Sequence, residues 1–230
     1  MVAAHGADTV WTVVVAAGSG TRFGAARPKQ YLDLGDGRVL DHALSAARAA
    51  SDGVVLVVGA TFADDHEPAA DVVVVGGDTR SASARRGLDA VPAGVDIVII
   101  HDGARPMASP ALFQAVLAAV RAGADAAIPG IAVADTIKRV ADGHVVETLP
   151  RQSLVAVQTP QAFRAEVLRA AYDAGQEGTD DAAVVEALGG RVAVVAGDPV
   201  NRKVTTPDDL VIIERLLVEQ DRRLHPAPPR

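Results

Sequence analysis

The chain has no cysteine in its 230 residues. That excludes disulfides, thiolate catalysis and Cys-ligated zinc or iron–sulfur centres. Aromatic residues are scarce, at 3% against 49% hydrophobic residues overall, so aliphatic side chains must fill the core. Positive charge is in deficit as well: 22 Lys plus Arg face 29 Asp plus Glu, a net charge of −7. A phosphate-backbone binder would carry a basic surface, so nucleic acid is excluded as a partner and any anion must bind in a local pocket. No apolar run is long enough for a membrane span. The N-terminal "MVAAHGADTVWTVVVAAGSG" lacks a cationic leader and is broken early by glycine. These features predict a cytoplasmic protein without a membrane partner. The six histidines show no H-x-x-x-H spacing, which leaves a zinc site without support.

What the chain does have is rhythm. Short valine-rich runs recur at 11–17, 53–60, 71–77, 96–102, 124–130 and 191–197. Runs that are apolar at every position suit parallel strands covered on both faces. Helical segments separate them, and two announce their starts. Ser109 before Pro110 offers an N-cap and a first-turn proline, and Thr206, Pro207 and Asp209 repeat the pattern. The fold class is therefore α/β, with an open, mostly parallel Rossmann-like sheet in one domain spanning 1–230. One segment departs from this rhythm. "VADTIKRVADGHVVETLPR" alternates like two strands joined at Asp142-Gly143, a hairpin signal. Such a β-hairpin arm, at about 133–155, has too little apolar surface to stand alone and must lean on something, such as a second subunit.

Behind the first strand stands "AAGSGTRFGAARPKQY", residues 16–31, with glycines at 18, 20 and 24. A strand, a glycine turn and a helix let backbone N–H groups converge on a phosphate. The dinucleotide fingerprint fails here because Phe23 stands where its last glycine belongs and the second strand ends without an acid. A Walker A loop fails for want of a Gly-Lys-Ser/Thr sequence. A glycine loop flanked by Arg22 and Lys29 remains, suited to a nucleoside triphosphate, although a structural turn with solvated charges reads the same way. "GGDTRSAS" (76–83) allows close backbone approach to a flat ligand, with Asp78 and Ser83 as polar partners; alternatively Asp78 or Thr79 caps a helix and Arg80 is exposed. Asp102, in "IIHDGARP", ends an apolar strand where open sheets bind ligands. One carboxylate there suffices for Mg²⁺, which takes its other ligands from phosphates and water. A buried Asp102 paired with Arg105 or His101 is the structural alternative, and His101 reads as a satisfied strand-end histidine. Lys138, Arg151 and Lys203 add cations in the last third of the chain.

Together "AAGSGTRFG", "PKQY", "GGDTRSAS", "HDGARP", "DTIK", "QTPQAF", "TDDA" and "NRKVT" resemble the 2-C-methyl-D-erythritol 4-phosphate cytidylyltransferase family, in its order and over roughly Trp11 to Leu217. The first two blocks mark nucleotidyltransferases in general, and the later ones narrow the match. The resemblance implies CMP transfer from CTP to 2-C-methyl-D-erythritol 4-phosphate in isoprenoid biosynthesis, with a homodimer joined through the β-arm. It implies that Arg22 and Lys29 stabilise the transition state. Ala16, Ala17, Gly18, Gly77, Asp78 and Ser83 would line the CTP site, and Asp102 would hold Mg²⁺ or another divalent ion. Arg105, Thr136, Arg151, Thr159, Thr179 and Lys203 would surround the acceptor, Thr136 and Arg151 serving the partner's pocket. Ribitol-phosphate cytidylyltransferases share most of these blocks, and a catalytically silent nucleotide-binding regulator is the alternative of another class. Gly103 stands where the family usually has alanine, Asp181 where it has glutamate, and Arg202 at a position apolar in some relatives. Gly103 is expected to leave the backbone looser beside Asp102.

Overall fold

A computed structural model describes residues 8–18, 27–176 and 178–224. In chain order, β1 (Val10–Ala16) is followed by β2 (Asp33–Leu34), β3 (Gly37–Arg38) and α1 (Val39–Ala50). Next come β4 (Gly53–Val58), β5 (Val72–Val75), α2 (Arg80–Asp89), β6 (Ile97–Asp102), α3 (Pro110–Arg121) and β7 (Ala126–Ala132). The arm consists of β8 (Ile137–Ala141) and β9 (His144–Leu149). The chain then returns through β10 (Val155–Val157), β11 (Gln161–Arg164), α4 (Ala165–Asp173), α5 (Asp181–Glu186), β12 (Val192–Ala196) and α6 (Pro207–Leu224).

All six valine-rich runs are strands. β1 pairs in parallel with β4 on one edge and β6 on the other, and β5 extends the sheet beyond β4. Strand order reverses at β1, so the chain leaves a crevice at the carboxyl ends of β1 and β6. Beyond β6 the pattern changes. β11 runs antiparallel between β6 and β7, β10 pairs antiparallel with the end of β7, and β12 lies parallel on β7's other edge. The sheet is mostly parallel with two short antiparallel insertions. β11 was not legible beforehand because four residues, "QAFR", are too few to show a period.

Alternate residues of each central strand feed opposite cores. Val13, Val55, Val57, Val98 and Ile100 pack with α2, α4 and α5. Ile97 and Ile99 pack under α3, and Val14, Val54 and Leu56 under α1. This two-sided burial is why the strands are apolar throughout rather than alternating. Contact with α2 is close enough that a Cβ on Gly87 would lie 2.3 Å from Val13 Cγ1. Helix starts follow the sequence signals. Thr79 Oγ1 accepts from Ala82 N at 3.0 Å and Ser109 Oγ accepts from Leu112 N at 3.3 Å. Each such cap satisfies a backbone donor left over at a helix start, worth about 1 kcal/mol.

The arm turns at Asp142 (φ 50°) and Gly143 (φ 76°), two left-handed residues that match the twist of a two-residue hairpin. Its strands pair only with each other, and an irregularity after Arg139 sets Val140 opposite Val145. Val140, Val145 and Val146 are 56–60% exposed.

Candidate active site

Two strand ends and three loops build the site. At the end of β1, the carbonyls of Ala16 and Gly18 both accept hydrogen bonds from one side chain, Gln30 Nε2, at 2.6 and 2.9 Å. Gln30 belongs to the short 3-10 turn Lys29–Tyr31, so this amide ties the turn carrying Lys29 to the strand end. The half-buried Lys29 adjoins this clamp. Gly76 closes the other wall, where a Cβ would fall 2.4 Å from Ala17 Cβ and 2.8 Å from Ser83 Oγ. Only glycine allows that approach. Ser83 Oγ accepts from Gly77 N at 3.1 Å and lies 2.9 Å from Thr79 O, so Ala17, Gly77 and Ser83 form one surface with Asp78 exposed at its rim.

The end of β6 carries the charge centre. Asp102 is buried, and three cations converge on it: Lys203 Nζ at 2.8 Å and Arg105 Nε at 3.4 Å from Oδ2, and Arg80 Nη2 at 3.6 Å from Oδ1. Burial alone would raise the Asp102 carboxyl, but Lys203, Arg80 and Arg105 outweigh it and hold the group well below the usual carboxylate range. Arg80 also lies 2.7 Å from the fully buried Asp181, whose other oxygen accepts from Tyr172 OH at 2.6 Å. Burial works against the Arg80 charge, yet the two carboxylates raise its pKa. Three guanidinium or ammonium groups against two carboxylates leave this cluster with a net positive charge, the sign that favours an anionic substrate.

A hydrogen-bond network holds this centre. Asp102 N donates to Thr159 Oγ1 at 3.0 Å, so the Thr159 hydroxyl proton is directed at His101 Nδ1, 3.1 Å away. His101 Nε2 faces Arg105 O at 3.3 Å, and a carbonyl can only accept, so the imidazole carries its proton on Nε2. Burial pushes the ring down from 6.5 to about 4, which keeps it neutral. His101 is the satisfied strand-end histidine expected, and here it holds two neighbours, the Thr159 hydroxyl and the Arg105 carbonyl. Gln158 fastens the Lys203 loop from beneath: its Nε2 donates to Asp198 O at 2.8 Å and Asn201 O at 3.1 Å, and its Oε1 accepts from Asp198 N at 3.0 Å. Asn201 Nδ2 donates to Thr159 O at 2.9 Å, while Arg105 Nη1 donates to Asn201 O at 2.9 Å.

The structure thus brings Asp102, Arg105, Thr159 and Lys203 into one cluster, and Ala16, Ala17, Gly18, Gly77 and Ser83 along the adjoining strand ends. Thr179 is exposed just before α5, where Asp180 caps the helix and accepts from Gln161 Nε2 at 3.0 Å. Thr136 and Arg151 are exposed at the base of the arm, where Arg151 Nη1 donates to Ala134 O. Within this chain neither reaches the Asp102 cluster by any hydrogen bond among the described residues. Arg22 lies outside the described residues.

Gly103 is tightly placed rather than loose. Its N–H donates to Val15 O at 2.9 Å, and a Cβ would lie 3.0 Å from Ala16 Cβ and 3.1 Å from Leu40 Cδ1. Sequence reasoning missed Arg80, Asp181, Gln30, Gln158 and Asn201. Arg80 follows the cap at Thr79, where an exposed side chain was the alternative expected; instead the side chain turns inward onto two carboxylates. The glutamines and Asn201 sit inside the quoted motif blocks, but an amide has no charge to mark it.

A divalent ion fits on conditions the cluster itself sets. Asp102 Oδ2 is engaged by Lys203, whereas Oδ1 meets only the longer Arg80 contact and keeps lone pairs for one metal bond. Among the described residues no group of three or more His, Asp or Glu side chains could hold a metal. An ion beside three cations therefore needs substrate phosphates to complete its shell, as Mg²⁺ commonly does.

The family model for 2-C-methyl-D-erythritol 4-phosphate cytidylyltransferase matches residues 10–219. A protein of that name from Rhodococcus opacus (strain B4) is 43% identical over 224 residues, covering 94% of this chain and 98% of the relative. A bifunctional enzyme IspD/IspF from Clavibacter michiganensis subsp. michiganensis (strain NCPPB 382) is 44% identical over 219 residues, covering 89% of this chain and 53% of its own length. The crystal structure of 2-C-methyl-D-erythritol 4-phosphate cytidylyltransferase from Thermus thermophilus superposes with a TM-score of 0.76 at 34% identity, covering 90% of this chain and 98% of that one. With the matched blocks falling on the strand-end crevice and its cation cluster, the chain belongs to the 2-C-methyl-D-erythritol 4-phosphate cytidylyltransferase family.

Proposed function

We propose that the chain transfers CMP from CTP to 2-C-methyl-D-erythritol 4-phosphate, giving 4-diphosphocytidyl-2-C-methyl-D-erythritol and pyrophosphate in isoprenoid precursor synthesis. The observation that carries this reading is the convergence of Lys203, Arg105 and Arg80 on Asp102 beside the glycine-lined end of β1. The acceptor phosphate attacks the α-phosphorus of CTP; its oxygen forms the new P–O bond as the bond to pyrophosphate breaks. A phosphate monoester is mostly dianionic at neutral pH, with a second pKa of about 6, so no side chain need remove a proton. That agrees with a buried His101 kept neutral and fully hydrogen-bonded.

The task left to the protein is electrostatic. Two polyanions must meet while negative charge grows around phosphorus, and cations fixed in advance serve both needs. Arg22 and Lys29 are assigned to the transition state at the α-phosphate, and Lys203, Arg105, Thr159 and Thr179 to the site of the acceptor phosphate. Ala16, Ala17, Gly18, Gly77, Asp78 and Ser83 are assigned to CTP. Asp102 is the residue that would hold Mg²⁺, which when bound neutralises phosphate charge and orients the leaving group. Exposed Val140, Val145 and Val146 support a homodimer through the arm, with Thr136 and Arg151 completing the partner's site. The compartment we assign is the cytoplasm.

A pyrophosphate-release assay crossing CTP, UTP and GTP with 2-C-methyl-D-erythritol 4-phosphate and ribitol 5-phosphate tests the reading. Release with the first of each is expected. Preference for ribitol phosphate would replace the acceptor, and no turnover with any pair would leave a nucleotide-binding regulator.

A further inference from the structure

Resting on the reaction above, we propose that Arg80 is a positioning residue that locks the nucleotide loop to the acceptor loop through Asp181, so that each substrate tightens the binding of the other. The two loops are residues 76–83, which carry Gly77, Asp78 and Ser83, and residues 178–181, which carry Thr179. They are far apart in sequence and belong to different helices, α2 and α5. Two separate tethers join them. Arg80 Nη1 lies 2.7 Å from Asp181 Oδ2, and Ser81 Oγ donates to Gly178 O at 3.2 Å.

Asp181 is a fixed anchor. It is fully buried, and its Oδ1 accepts from Tyr172 OH at 2.6 Å, which ties it to α4. Arg80 is only partly enclosed, and its Nη2 reaches within 3.6 Å of Asp102 Oδ1. One guanidinium therefore touches the acceptor loop, the nucleotide loop's helix and the central carboxylate. The contact with Asp181 is close but lies off the hydrogen-bond axis, since neither Arg80 Nη1 nor Asp181 Oδ2 completes a hydrogen bond although both atoms are buried. A small rotation of the first turn of α2 would align them. CTP bound along 76–83 sets that turn, and the tethers then set 178–181 before the acceptor arrives. The second ligand loses less conformational freedom than the first, which is positive coupling; by linkage it acts equally in both directions.

The test is calorimetric titration of the full chain with α,β-methylene-CTP, whose α-phosphorus cannot release pyrophosphate, with and without saturating 2-C-methyl-D-erythritol 4-phosphate. The wild-type chain is expected to bind the nucleotide about fivefold or more tightly when the acceptor is present. Arg80→Lys and Asp181→Asn should bring that factor close to one, and Ser81→Ala should lower it part-way. Ser81→Ala leaves the buried pair intact, so it serves if Asp181→Asn does not fold. A purely structural pair would lower the melting temperature and leave the factor unchanged. An unchanged factor in Arg80→Lys and Ser81→Ala, or none in a wild-type chain that turns over, overturns the inference alone. A wild-type chain that releases no pyrophosphate from this substrate pair overturns the reaction itself, and the inference with it.

Discussion

Lys203 Nζ donates to Asp102 Oδ2 at 2.8 Å across 101 residues of chain. The pair joins the end of β6 to the loop before α6, and the rest of the site is arranged around it. Asp209 holds that loop by accepting from Thr205 N and Thr206 N, each at 3.0 Å. Lys203 thus arrives at the carboxylate on a braced backbone rather than as a swinging surface charge.

Replacing Lys203 with Met should cost activity more than stability. Breaking a fully buried pair costs roughly 3–5 kcal/mol. Lys203 is partly exposed and two arginines remain beside Asp102, so about 1–2 kcal/mol is expected in urea unfolding. Turnover should fall on the order of 10²–10³-fold, with a raised KM for the acceptor. Unchanged steady-state kinetics would remove Lys203 from the site.

Lys29→Ala separates binding from catalysis. A cation aimed at charge that develops only in the transition state supports turnover on the order of 10²–10³-fold. Its loss should weaken CTP binding by no more than about tenfold, or roughly 1.4 kcal/mol. Equal losses in kcat and in CTP affinity by titration would mean that Lys29 only holds the ground state.

Gln30 offers a sharper comparison. Its amide donates to both Ala16 O and Gly18 O, so Gln30→Ala leaves two acceptors short and should destabilise the chain by about 1–3 kcal/mol. Gln30→Glu should be worse for CTP binding, because a carboxylate cannot donate and repels both carbonyls. If the glutamate variant bound CTP as well as the alanine variant, the amide would not be aligning the loop.

His101 makes the fold sensitive to mild acid. Burial lowers its pKa from 6.5 to about 4, so the unfolded chain takes up a proton that the native chain refuses. Stability from this group is complete above pH 6.5 and is lost as pH falls towards 4, by about 3 kcal/mol in all. Asp102, shifted the same way, adds its loss below the ordinary carboxylate range of about 4. Denaturant melts between pH 7 and 4 should show this slope in the wild-type chain, and His101→Asn should flatten its upper part. A flat wild-type profile would contradict a neutral buried ring.

Subunit mixing tests the arm. Lys29→Ala and Arg151→Ala chains, each inactive alone, should regain roughly a quarter of wild-type activity when mixed, because half the dimers then hold one intact site. No recovery would place Arg151 outside the partner's pocket.

The six valine-rich strands, the hairpin turn at Asp142-Gly143 and the cap at Ser109 could be read from the sequence, with Thr79 one of two cap alternatives, because each depends on neighbours a few residues away. Hydrophobic period and capping are local properties. β11 could not be read this way. It exists because β6 and β7 leave a slot between them, and four residues fill it.

The same division runs through the site. By itself the sequence determined which residue types gather at the strand ends: glycines for close approach, Asp102 at the end of an apolar strand, and cations in blocks matching one family. Only the tertiary structure decided which cations meet which carboxylates, that Arg80 turns inward to Asp181, and which nitrogen of His101 carries the proton. Charge attraction and hydrogen-bond direction act over a few ångströms in space, whatever the separation along the chain. The sheet order, set by burial of the whole core, therefore had to exist before Lys203 and Asp102 could become neighbours.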